Sequence, residues 1–318
     1  MIWDFGEIAA GLVLLVVAGD LLVKGAVALS LRLGIPALIV GLTVVAFGTS
    51  APELMVSVAA VLDHAPTIAL GNVVGSNIAN ILLVLGLPAI ISAIRTDEHD
   101  TRESFVLMMG ATVLFILICF MGPIRWPHAL LLLAGLGVIL FRQIREALTH
   151  RANRDPDEEI ESVDPKMPGW RVALFIAAGL AGLPLGADWL VDGASDIART
   201  FGVSDTVIGL TLVALGTSLP ELATSITAAT KGRADVALGN VVGSNIFNLL
   251  CIIGVAGLVG NIPVPEQMQR FDLWVMLGAS ILLAPFIFGN RVIGRWIGVG
   301  FTSTYLIYMV LLFVGGRV

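Results

Sequence analysis

Two short stretches concentrate the reactive side chains of this chain: "GTSAPEL" at 48–54 and "GTSLPEL" at 216–222. Each places a threonine and a serine, Thr49 and Ser50 or Thr217 and Ser218, just ahead of a proline and a glutamate, Glu53 or Glu221. Further on, "GNVVGSN" occurs identically at 71–77 and 239–245. From it Ser76 and Asn80, and Ser244 and Asn248, continue one helical face at i and i+4. Nearly everything offered is oxygen: two carboxylates, hydroxyls and amides. That is the ligand set of a hard cation, and calcium takes about 6–8 such oxygens in flexible geometry. Two carboxylates balance one divalent ion, or they neutralise monovalent ones. Ligands for softer metals are missing, since His64, His99, His128 and His150 fall at the ends of apolar runs or in loops. Cys119 and Cys251 lie inside apolar runs and suggest neither a disulfide framework nor a metal site.

These residues sit in a very apolar chain. Of 318 residues 57% are hydrophobic and 13% charged, and mean hydropathy is +0.95; soluble domains are closer to a quarter charged. The apolar runs reach the roughly 20 residues needed to cross a hydrocarbon core, which predicts an all-α integral membrane protein. Ten spans are expected, at 6–30, 36–62, 67–93, 104–121, 128–148, 171–197, 204–230, 236–260, 271–289 and 294–314. The start, with Asp4 and Glu7 and no basic segment, does not read as a cleaved signal peptide.

In lipid an unpaired backbone group costs several kcal/mol, so a broken helix survives only inside protein or along a cavity. Gly48 with Pro52, and Gly216 with Pro220, are expected to break spans two and seven near the bilayer midplane. Each break frees carbonyls upstream and starts a half-helix with proline in its first turn. Glu53 and Glu221 then stand at helix N-termini, whose partial positive charge favours the ionised form. Discontinuous helices at matching positions of two halves point to a transporter's central site.

The halves do match. Gly41 and Gly209, Glu53 and Glu221, and Asp20 and Asp188 are each 168 positions apart, as are the two GNVVGSN motifs. The expected organisation is a five-helix repeat at 1–148, an acidic cytoplasmic linker at 149–170 and a second five-helix repeat at 171–318. Five spans is an odd number, so the second repeat enters inverted. With the N-terminus outside, thirteen Lys and Arg residues fall in cytoplasmic loops and only Arg125, Arg199, Arg270 and Arg317 on the outer side. Both termini are thus expected outside a cell inner (plasma) membrane.

Blander readings stand beside these. GNVVG is also a small-xxx-small pattern for close helix packing, and the serine and asparagine stripe also serves inter-helix hydrogen bonding. Asp20 with Lys24 reads as a structural i,i+4 pair. The paired intramembrane glutamates have no comparable bland reading.

"GLTVVAFGTSAPEL…GNVVGSNIANILLVLG" and "GLTLVALGTSLPEL…GNVVGSNIFNLLCIIG" resemble the two alpha-repeats of the cation/calcium exchanger superfamily, most closely prokaryotic sodium/calcium exchangers. The resemblance implies ten helices in two inverted repeats and an antiporter that exports calcium as sodium enters, by alternating access. It implies Glu53 and Glu221 as central ligands, with Thr49, Ser50, Thr217, Ser218, Ser76, Asn80, Ser244 and Asn248, and the backbone carbonyls of Ala46 and Ala214. Some relatives carry aspartate at the position of Asn248, where it is associated in some members with potassium dependence; asparagine leans towards potassium independence. Spans one and six, long and rich in glycine, are candidates for the moving gate. Calcium and sodium are the expected substrates and the bilayer the expected surroundings; no cofactor, nucleic acid or obligate protein partner is expected. The nearest alternative is a proton-coupled antiporter for calcium or another divalent cation on the same scaffold. A channel would use the same ligands without counter-ion dependence, and an intramembrane protease would need a buried Ser-His or Asp pair.

Overall fold

The computed structural model describes residues 2–96, 101–152, 167–201 and 214–314. These are helical apart from short connections and two isolated antiparallel bridges. The helices are α1 (Ile2–Leu33), α2 (Ala37–Thr49), α3 (Ala51–Leu62), α4 (Pro66–Ile91), α5 (Arg102–Phe120), α6 (Trp126–Ala152), α7 (Gly169–Thr200), α8 (Leu219–Thr230), α9 (Ala234–Val259), α10 (Glu266–Gly289) and α11 (Arg295–Val314), with one turn at Ala214–Gly216 ahead of α8. Among them eight are long and apolar enough to cross a membrane, or nine if the bent pair α2–α3 is one span. The first part of the expected seventh span and most of the acidic linker lie outside the described residues.

α4 and α9 are the most buried helices and form the centre of the molecule. One large apolar cluster, with Leu70, Ile78, Leu82, Val241 and Leu249 fully or almost fully buried, packs around them. Exposed apolar side chains such as Phe141 on α6 and Leu306 on α11 cover the periphery, as lipid-facing positions require.

α1 and α7 pack against each other, antiparallel, along much of their length. A Cβ on Gly11 would lie 2.7 Å from the Gly186 carbonyl oxygen, and one on Gly179 would lie 2.6 Å from Leu22 Cβ. Without a hydrophobic drive between helices in lipid, such close backbone approach through small residues is what makes dispersion effective. α1 is tied to the rest of the protein by Asp20, which pairs with Lys24 at 2.7 Å and also with Lys231, beyond the end of α8. The local i,i+4 pair read from the sequence is therefore one part of a longer-range contact.

The two bridges follow the sequence repeat. Ile94 pairs with Ile293 and Ile124 with Ile262, each through two backbone bonds of 2.8–3.0 Å. Ile262 stands 168 after Ile94, and Ile293 stands 169 after Ile124. Each bridge is thus the other's counterpart to within one residue.

Candidate functional site

The break in the second span falls at Ser50, between α2 and α3, where the axis bends by 43°. Ser50 has φ −84° and ψ 7°, and Pro52 occupies the first turn of α3, where its missing N–H has no helical partner to lose. Gly48 has a different reason from the one its sequence context suggests. It is still helical, and a Cβ there would collide with Leu180 of α7. The glycine permits packing; the proline and Ser50 make the break.

Serine at an N-cap ordinarily bonds the first backbone N–H groups of its helix. Ser50 and Ser218, at the N-caps of α3 and α8, make no such bond. Instead the Ser50 hydroxyl crosses to the other half and donates to Glu221 Oε1 at 3.0 Å. Ser244 of α9 donates to the same oxygen at 3.5 Å, and Thr49 also faces this carboxylate. Glu53 and Glu221 are each 1% exposed.

Two further devices shape the surroundings. Wide helical turns of the i→i+5 type occur at Gly41–Val45, Asn80–Val84 and Phe247–Ile252. Such turns, often found at functional sites, displace the helical register locally; here they carry Asn80 and Asn248. Gly243 brings α9 onto α2, since a Cβ there would lie 2.5 Å from the Leu42 carbonyl oxygen and 2.6 Å from Ala46 Cβ. The packing reading of GNVVG therefore describes the second copy. In the first copy a Cβ on Gly71 or Gly75 would meet nothing within 4 Å among the described residues, and the stretch that repeats residues 37–45 is 205–213, outside them.

Four buried oxygens at matching positions of the two halves lack any hydrogen-bond partner: Glu53 Oε2, Glu221 Oε2, Asn80 Oδ1 and Asn248 Oδ1. An unpaired buried polar atom costs about 1–3 kcal/mol, more when charged, a cost that a bound cation or a water would offset. Among the described residues no three His, Cys, Asp or Glu side chains gather into a metal cluster. A cation here would be held by two carboxylates and otherwise by neutral oxygens.

The remaining expected residues are placed less directly. Ser76 and Ser218 are buried but bond neither glutamate, and Thr217 is half-buried. The Ala46 carbonyl is not left free by the break: it accepts from Ser50 N at 3.0 Å and from the Thr49 hydroxyl at 3.4 Å. Ala214 opens the single turn before Thr217. Sequence reading passed over Asn72, Asn240, Ser57 and Ser225, which bond beside the glutamates: Asn72 Nδ2 donates to Ser57 Oγ at 3.0 Å and Asn240 Nδ2 to Ser225 Oγ at 3.2 Å. The signal was present, because the first asparagine of GNVVGSN is as strictly repeated as the serine.

The fold and its buried oxygens define a class: a helical, multi-span membrane protein built around an internal polar centre beside a bent span. The sodium/calcium exchanger protein family matches residues 3–145 and 171–314, and the chain belongs to it. It is 38% identical to the putative antiporter CaxA of Alkalimonas amylolytica over 87% of each chain. It is 35% identical to the sodium/calcium exchanger MaX1 of Methanosarcina acetivorans over 98% of each, and 36% identical to the inner membrane protein YrbG of Escherichia coli over 95% of this chain and 94% of YrbG. Among solved structures, the sodium-calcium exchanger NCX_Mj soaked with sodium and calcium superposes with a TM-score of 0.84 at 34% identity, covering 98% of this chain and 99% of that one.

Proposed function

We propose that the chain is a sodium/calcium antiporter that exports calcium as sodium enters, by alternating access to one shared site. The observation that carries this reading is the set of unpartnered buried oxygens on Glu53, Glu221, Asn80 and Asn248. Ionised, the two glutamates present about two negative charges, which one calcium or two or more sodium ions can neutralise in turn. Competition for one charge-matched site is what coupled exchange needs. Thr49, Ser50, Ser76, Thr217, Ser218 and Ser244 supply further oxygens, together with the Ala214 carbonyl and, once it releases the long bond from the Thr49 hydroxyl, the Ala46 carbonyl.

The scaffold is read as ten spans in two inverted five-helix repeats, 1–148 and 171–318, joined by the cytoplasmic linker 149–170, with both termini outside an inner membrane. The antiparallel α1–α7 pair supports inversion, because each is the first helix of its half. Their close mutual packing supports a gate that moves as one body against the core.

The test is calcium flux in liposomes carrying the purified chain, under an imposed sodium gradient, an imposed pH gradient, or neither. Sodium-driven flux is expected. Flux driven by pH alone would favour the proton-coupled alternative, and flux needing no counter-ion would mean a channel.

A further inference from the structure

The stripe on α9 begins one helical step earlier than the proposed ligands: Asn240, Ser244 and Asn248 stand at i, i+4 and i+8. Asn240 is fully buried, with 0% exposure. Its Nδ2 donates to the Glu221 backbone carbonyl at 3.3 Å and to Ser225 Oγ at 3.2 Å, and its Oδ1 accepts from the Thr49 hydroxyl at 3.2 Å. On α4 the same grammar recurs. Asn72 Nδ2 donates to the Glu53 carbonyl at 3.3 Å and to Ser57 Oγ at 3.0 Å, ahead of Ser76 and Asn80. Asn72 and Asn240, Glu53 and Glu221, and Ser57 and Ser225 are each 168 positions apart.

Each amide thus grips the main chain of the glutamate and the serine one turn later, pinning the first turn of the half-helix to the neighbouring buried helix. A long carboxylate side chain is aimed only as well as its Cα is fixed. Asn240 also gives the single hydroxyl proton of Thr49, which comes from the other half, a nearer acceptor at 3.2 Å than the Ala46 carbonyl at 3.4 Å, and one other than the Glu221 carboxylate. That leaves the carboxylate oxygen, and the threonine's lone pairs, for a cation.

We propose that Asn240 and Asn72 are positioning residues of the ion site: from α9 and α4 they fix Glu221 of α8 and Glu53 of α3, and Asn240 in addition links the threonine of one half to the glutamate of the other. The proposal rests on the cation-binding reading of this site, and not on how transport is coupled. Groups that orient metal ligands typically change affinity about 10–100-fold when removed.

The experiment is calcium titration of the purified chain, following the rise in melting temperature, with half-maximal calcium for sodium-driven flux measured in parallel. Asn240→Ala and Asn72→Ala are expected to raise both calcium midpoints about tenfold or more. Ser225→Ala, which removes one acceptor and little volume, is expected to raise them several-fold. A role confined to packing would lower the melting temperature equally with and without calcium and leave the midpoints unchanged; midpoints within twofold of the parent overturn the proposal. If Asn240→Ala does not fold, Ser225→Ala decides by the same criterion. A parent protected by calcium but without sodium-driven flux removes the antiport reading alone, and a parent without calcium protection overturns both.

Discussion

At the scale of single residues the two glutamates carry the heaviest expectation. Glu53→Gln and Glu221→Gln each keep shape and remove one of two formal charges that would face a divalent ion. The remaining charge is then mismatched in a buried site, where an unpaired charge costs several kcal/mol. Each variant is expected to lose nearly all exchange while still inserting and folding, as shown by flux set against the melting profile. Asn248 makes a different test. Its Oδ1 is buried and unpartnered, so Asn248→Asp would add a third carboxylate to a desolvated pocket. Like charges at close range cannot all remain ionised and bare. The variant should take up a proton or recruit a monovalent cation, making calcium exchange more sensitive to pH or to potassium than the parent's. Flux compared across about pH 6 to 9, with and without potassium, checks it; unchanged dependence on both would place residue 248 outside the site.

At the scale of elements, stability follows from how closely helix backbones approach. Gly243 and Gly137 both lie inside helices, α9 and α6, yet what surrounds them differs. A Cβ on Gly243 would meet the Leu42 carbonyl oxygen and Ala46 Cβ within 2.6 Å, whereas one on Gly137 meets nothing within 4 Å. Gly243→Ala must push α2 away and should cost about 1–3 kcal/mol. Gly137→Ala should be neutral or stabilising by up to about 1 kcal/mol, the ordinary helix gain over glycine. Thermal unfolding in detergent distinguishes the two signs. Because α2 carries Ala46, Thr49 and the break at Ser50, Gly243→Ala should also weaken exchange in the fraction that folds.

At the scale of the whole molecule the electrical expectation is independent of any single contact. Exchange bringing in more than two sodium ions per calcium moves net charge, and each charge is worth about 2.3 kcal/mol per 100 mV. Flux in vesicles clamped with an ionophore is therefore expected to accelerate at inside-negative potential, where positive charge enters; voltage-independent flux would mean electroneutral coupling. The polarity of Asp20 and its surroundings also belongs to this scale. Asp20, Lys24 and Lys231 form an attractive cluster between α1 and the end of α8, whereas the residues 168 positions away are Asp188, Asp192 and Asp63. The repeat therefore keeps the glutamate motifs and the first aspartate, whereas both lysines of this contact have aspartates as their counterparts.

The sequence by itself determined the medium, the doubled motif and the identity of the buried carboxylates. These depend on composition, run length and spacing, which are local properties of the chain. The break at Ser50 was legible because proline acts on its own turn. The reason for Gly48 was not, because Leu180 approaches it from a helix more than a hundred residues away. Nor was the use of Asn72 and Asn240, whose amides could equally have served generic helix contacts. Only the packing of α3 on α4, and of α8 on α9, brings those amides to the glutamate carbonyls. Tertiary structure likewise decided that Ser50 serves Glu221, the glutamate of the opposite half. An offset of 168 relates equivalent residues within the chain; which of them touch across the interface is settled by how two helical halves pack in three dimensions.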